Sequence, residues 1–268
     1  MPRVSIGDCR LYYERTGVGF PVLFVTGLSG YASYWRDQVP AFSRSFDTIV
    51  YDHRGVGQSD HKGVTSTIER LAADAIGLLD ALGIDKAHIV GHSAGAAVAQ
   101  ILAIEHPQRL ASIVLAAAWT KPVAYFRRMF GLRKELLARL GPSGYVQANT
   151  LFLYPAHYIA ANNEMLRQVE AQWLASFPAP ETIAARIDAI MAFDRTAELS
   201  QIKTPTLVLA AQDDLITPAY FAEELARRIP GAEAKFFPHG GHDLTRVVPR
   251  EFNQAVLPFL QAHSPAAS

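Results

Sequence analysis

Cysteine is almost absent. Cys9 is the only one in the 268 residues, so no intramolecular disulfide can form. It falls in an N-terminal strand pattern with no acid–base partner close in sequence, which reads as packing and not as a functional thiol. Net charge is absent too: 25 basic residues balance 25 acidic ones. That removes any global charge argument for nucleic acid or a membrane surface as a partner. No apolar run is long enough to span a bilayer, and residues 1–10 hold no apolar segment of secretory type. A reducing, cytoplasmic setting is the expectation. There is no His-Glu-x-x-His and no Cys/His cluster, so neither metal nor cofactor is expected.

What is present is an apolar chain: half of the residues are hydrophobic and 19% are charged. Such a composition builds a large core and excludes general disorder. Short apolar runs alternate with helical periods. Val4–Ile6, Arg10–Arg15, Pro21–Val25, Thr48–Tyr51, His88–Val90, Leu110–Ala117, Thr206–Ala210 and Ala234–Phe237 read as strands. Tyr31–Phe42, Ile68–Leu82 (capped by Thr67), Gly95–Glu105, Ala219–Ile229 and Pro249–Ala262 read as helices. Alternation of this kind predicts an α/β fold, a mostly parallel sheet with helices on both faces.

One segment breaks the alternation. Residues 119–200 show no buried strand and instead carry helical periods at Val123–Leu140, Ser143–Leu153, Glu164–Ser176 and Glu181–Phe193. The expected organisation is a core from residues 1–118 and 201–268, with residues 119–200 as a helical lid. Arg127, Arg128, Arg133 and Lys134 within it read as a solvated basic face. The Gly-x-Gly of Gly55–Gly57 lacks the third glycine of a dinucleotide loop and reads as a turn.

The chemical signal is Gly91-His92-Ser93-Ala94-Gly95, between a strand pattern and a run of small residues that reads as a helix. A serine in a sharp strand-to-helix turn has its Oγ lifted clear of the sheet. Serine needs a base to take its proton, and the base needs a carboxylate to fix its tautomer. Strand ends downstream supply both types: Asp213 and Asp214 after Thr206–Ala210, then His239 and His242 after Ala234–Phe237. His53, His88 and His92 read as structural.

These pieces together resemble the α/β-hydrolase family. The matching segments are the Gly27-Leu28 turn, Asp52-x-Arg54-Gly55-x-Gly57-x-Ser59, Gly91–Gly95, Ile202–Pro205, Asp214-x-x-x-Pro218 and Gly240-Gly241-His242. The resemblance implies Ser93 as nucleophile, Asp214 (four residues before Pro218) as the acid, and His242 (after the paired glycines) as the base. It also places the oxyanion-hole amides at Leu28 and Ala94. Within the family, Thr26–Gly30 with Ser33-Tyr34-Trp35, Leu151–Ala156, and Pro249-x-x-Phe252-Asn253 resemble the pyrimidine-utilisation hydrolases that act on aminoacrylate or carbamate.

That resemblance implies a serine hydrolase acting on a small polar substrate at a C–N or carbamate-type bond. An enol-lactone hydrolase or short-chain carboxylesterase is the alternative. A non-catalytic ligand-binding receptor of the same fold is the alternative of another class. Trp119, Phe152, Tyr154, His157 and Trp173 of the lid are candidate substrate contacts. The partner expected is a small molecule, with a homodimer left open.

Overall fold

The computed structural model describes residues 2–61 and 67–265. Eight strands form one sheet: β1 (Arg3–Ser5), β2 (Arg10–Thr16), β3 (Phe20–Val25), β4 (Phe46–Tyr51), β5 (Ala87–His92), β6 (Leu110–Ala116), β7 (Thr206–Ala211) and β8 (Glu233–Phe237). Their spatial order is β1-β2-β4-β3-β5-β6-β7-β8. The β1–β2 and β2–β4 pairs are antiparallel, and the pairs from β3–β4 to β7–β8 are parallel.

The apolar runs explain the layering. Every residue of β4, β5, β6 and β7 is buried. A strand buried on both faces has no polar alternation to show, because helices cover each side. One apolar cluster packs Leu23, Ile49, Ile89 and Ile113 against α2 (Ile68–Ala81) and α3 (Ala94–Glu105). The other packs Phe24, Val90 and Val114 against α9 (Pro249–Ala262) on the opposite face. Each fully buried Leu, Ile or Phe contributes about 1.5–3 kcal/mol of transfer free energy. The edge strand β8 is largely exposed until Phe237, and Glu233 and Lys235 keep that edge polar.

Thr67 caps α2 as expected, its side chain accepting from the Arg70 amide at 3.0 Å. The Tyr31–Phe42 helix is not continuous. It splits into a 3-10 turn, Ala32–Trp35, and a four-residue α1, Val39–Phe42. Pro40 cannot donate to an upstream carbonyl. The Ala32 amide is drawn to Asp52 Oδ1 at 2.8 Å instead.

Between β6 and β7 stand α4 (Ala124–Leu153), α5 (Ala156–Ala175) and α6 (Pro180–Ala192). α4 breaks at Gly141, whose φ of 65° is left-handed and is followed by Pro142. α5 starts eight residues earlier than the Glu164 expected, because an Asn162 kink, not a loop, joins its halves. The remaining helices are α7 (Tyr220–Arg228) and a short α8 (Leu244–Val247) that the pattern did not reveal. No helix among the described residues is long and apolar enough to cross a membrane.

Candidate active site

Parallel strands put their C-terminal ends on one edge of the sheet, and all three sequence-marked groups follow such ends. Ser93 follows β5, Asp214 follows β7, and His242 follows β8. The turn at Ser93 is tight. Its φ is 54° and ψ −119°, a conformation that non-glycine residues rarely adopt. Two glycines make the turn feasible. A Cβ at Gly91 would strike the Gly95 carbonyl, and a Cβ at Gly95 would strike the Val25 carbonyl. The backbone of α3 thereby sits directly on β3 and β5. The Ser93 amide is held by the Ala116 carbonyl at 2.9 Å.

The three side chains meet. Ser93 Oγ lies 3.0 Å from His242 Nε2, and His242 Nδ1 lies 2.9 Å from Asp214 Oδ2. All three residues are buried. Because Nδ1 faces a carboxylate, it carries the proton and donates it. Nε2 is left as an acceptor for the serine hydroxyl. Asp214 is held by further donors: the Ile216 and Thr217 amides at 2.7 and 2.9 Å, and Thr217 Oγ1 at 2.7 Å. Burial alone would raise its carboxyl. The charge of His242 and the hydrogen bonds from His242 and Thr217 outweigh burial and hold it below the usual carboxylate range.

Asp213 does other work, since its Oδ1 accepts from the Gly241 amide at 2.8 Å. His239 is exposed and stands 3.7 Å from Asp213. His92 stacks on Tyr34, and its Nε2 meets the His242 carbonyl at 2.8 Å. It therefore supports the loop that carries His242.

Leu28 and Ala94 flank the serine. Ala94 opens α3, where an amide has no helical acceptor. Neither the Leu28 nor the Ala94 amide donates to a protein acceptor among the described residues. Thr26, two positions before Leu28, donates through Oγ1 to the Tyr31 carbonyl at 3.1 Å and ties that loop to itself.

A cavity of about 200 Å³ opens over Ser93 and His242. Pockets for drug-sized ligands run from about 300 to 1,000 Å³, so this one suits a small molecule. Tyr154 and Trp173 line it, as the sequence suggested. Trp119, Phe152 and His157 do not. Trp119 is fully buried, with its ring against those of Phe126 and Phe193. Phe152 packs on the main apolar cluster, and His157 packs against His239. Lid aromatics have apolar neighbours of their own to cover, and most of these do that.

Sequence reasoning missed Arg133. It is 4% exposed and lines the cavity, so it does not belong to a solvated face with its basic neighbours. A signal was available. Phe126, Phe130, Arg133 and Leu137 recur at helical spacing, and all four are buried on one stripe of α4. Among the described residues no group of three or more His, Cys, Asp or Glu side chains is arranged to hold a metal ion.

Comparison with known proteins agrees with this architecture. The family model for the alpha/beta hydrolase fold matches residues 21–245. A protein of Azorhizobium caulinodans that carries the provisional name carbamate hydrolase RutD is 39% identical over 259 residues, covering 97% of this chain and 98% of its own length. A Caulobacter vibrioides protein of the same name is 39% identical over 267 residues, covering 97% of this chain and 99% of its own. Among solved structures, the enol-lactonase from Burkholderia xenovorans LB400 has a TM-score of 0.88 at 26% identity, covering 97% of this chain and 100% of that one. A thermophilic esterase from Thermogutta terrifontis has a TM-score of 0.87 at 28% identity, covering 98% and 99%.

Proposed function

The chain belongs to the α/β-hydrolase fold family, and on that premise we propose that it is a serine hydrolase for a small polar substrate with a carbamate-type or other C–N bond, of the kind met in pyrimidine breakdown. One observation carries the catalytic part: the unbroken contact from Ser93 Oγ through both nitrogens of His242 to Asp214, on a serine held in a strained turn.

In this reading Ser93 Oγ attacks the substrate carbonyl carbon while His242 Nε2 takes its proton. The carbonyl oxygen becomes an oxyanion and is met by the Leu28 and Ala94 amides. Collapse of the tetrahedral intermediate breaks the bond to the leaving group, to which His242 returns the proton. Water, deprotonated by His242, then attacks the acyl- or carbamoyl-serine and frees Ser93. Asp214 stays ionised and stabilises the imidazolium in both halves.

The substrate part is supported by the small cavity and by whole-length identity to relatives named for carbamate hydrolysis. An enol-lactone is the second reading, supported by the close likeness in shape to the Burkholderia enol-lactonase.

The test begins with an organophosphonate probe. It should label the wild-type chain on Ser93, and Ser93→Ala should abolish both labelling and turnover. Undiminished turnover in Ser93→Ala would overturn the mechanism. Binding without product in the wild-type chain would favour a receptor. For the substrate, kcat/KM is compared between small carbamates, enamine acids and an enol-lactone. An enol-lactone preferred by 100-fold or more, about 2.7 kcal/mol in the barrier, would decide for the second reading.

A further inference from the structure

We propose that Arg133 is the carboxylate-binding residue of this cavity, so that the preferred substrate is an anionic acid carrying its scissile carbonyl at one end and a carboxylate at the other. The inference rests on the serine-hydrolase reading for which end reacts, and on the cavity itself for the rest.

Arg133 is buried, yet no carboxylate lies within ion-pair distance of it among the described residues. Its Nε donates to Asn149 Oδ1 at 2.9 Å, and one terminal nitrogen, Nη2, faces the Tyr145 hydroxyl at 3.4 Å. The Phe130 ring lies 4.8 Å from its guanidinium carbon. All of these neighbours are neutral. The other terminal nitrogen, Nη1, has no hydrogen-bond partner among the described residues. Burying a cation without a counter-charge is costly. An anion that enters the cavity would supply the missing charge and accept in the planar fork geometry that a guanidinium offers.

The other two arginines of the wall each have an acid nearby, Asp37 for Arg36 and Asp243 for Arg246, although the Arg246 Nε has no hydrogen-bond partner among the described residues. Arg36 is largely exposed and stands 3.9 Å from Asp37. Arg246 lies over the Tyr34 ring at 4.7 Å. Burial works against its charge, and Asp243, Tyr154 and Tyr34 more than offset that. The wall also carries Glu170, which accepts from Thr150 Oγ1. With the carboxylates Glu170 and Asp243 both on the wall, a monoanion is favoured over a dianion. Arg133 and Glu170 both belong to the lid, whereas Ser93 and His242 belong to the sheet edge. The anionic end of the substrate would therefore point into the lid.

The test uses propionate and propionamide, near-isosteric and differing in charge, as inhibitors of p-nitrophenyl acetate hydrolysis. Their direct binding to the Ser93→Ala protein is measured by calorimetry. Propionate should bind the wild-type cavity at least 10-fold tighter than propionamide. Arg133→Met should weaken propionate at least 10-fold and change propionamide less than 2-fold, with folding checked by circular dichroism. Asn149→Asp keeps Arg133 in place but sets a carboxylate at its Nε. It should weaken propionate similarly, which covers the case in which Arg133→Met does not fold. Equal binding of the two probes to the wild-type chain would overturn the proposal. So would unchanged propionate affinity in either folded variant, because propionate would then sit in the oxyanion hole. Neither result depends on Ser93 being the nucleophile, so failure here is separable from failure of the mechanism.

Discussion

The amide of His242 donates to the carbonyl of Leu153 at 2.9 Å, and the Asp243 amide reaches the same oxygen at 3.2 Å. Leu153 is the last residue of α4, where helical carbonyls have no helical donor. The histidine loop supplies two. The lid and the proposed base are thus joined through one carbonyl, far apart in sequence. Gly241 sits in this joint with φ of 59°, and a Cβ there would collide with the Leu153 carbonyl and Pro155.

Gly241→Ala should therefore harm both stability and rate. A left-handed non-glycine residue costs about 1–2 kcal/mol before any collision is counted. The expected outcome is a lower denaturation midpoint together with a kcat at least 10-fold down. Normal kcat in a merely destabilised protein would show that the joint does not position His242.

Asp214→Asn should lower kcat by about 10⁴, as expected when the base loses the carboxylate that fixes its tautomer. Asp213→Asn should cost less than 10-fold, because an amide oxygen can still accept from Gly241 N–H as the carboxylate does now. Steady-state kinetics on both variants checks the assignment, and exchanged behaviour would reverse it.

Acid sensitivity should come first from buried histidines. Burial pushes His88 down to about 4, with His263 as the next cause, and pushes His92 down to about 4, with His242 as the next cause. Unfolded, both return to about 6.5. Between those values the unfolded chain binds more protons than the native one, so stability falls as pH falls. The slope is at most about 1.4 kcal/mol per pH unit for each histidine. Asp52 and Asp74, raised by burial, act in the opposite sense above the ordinary carboxylate value. Asp214, held below that value, loses its stabilising effect only at more acidic pH. Urea denaturation at pH 7 and pH 5 should show the loss. His88→Gln, which can still bond Ser112 and Ser264, should flatten the slope.

Chain length should matter in the acyl group. A cavity of about 200 Å³ closed by lid aromatics has no room for an extended chain. Over acetyl to dodecanoyl p-nitrophenyl esters, kcat/KM should peak at the short end and fall at least 100-fold by dodecanoyl. A rise out to dodecanoyl would mean the lid opens as in a lipid esterase.

Local features of the chain carried much of the fold. Apolar runs marked the buried strands because a strand covered on both faces needs no polar positions. Gly91-x-Ser93-x-Gly95 marked the serine turn because only glycines allow α3 to lie against β3 and β5 so closely. The order of strand ends placed an acid and a histidine on the serine's edge of the sheet, and the resemblance to α/β-hydrolases separated Asp214 from Asp213. What needed the tertiary structure was the environment of each lid side chain. Arg133 looked like its exposed basic neighbours, and Trp119 looked like a pocket wall. Their surroundings are made by α4, α5 and the sheet edge meeting across long sequence distances, as Leu153 meets His242. Helical spacing with Phe126, Phe130 and Leu137 puts Arg133 on a buried stripe of α4, but what that stripe faces depends on which surfaces meet, and local periodicity does not encode that.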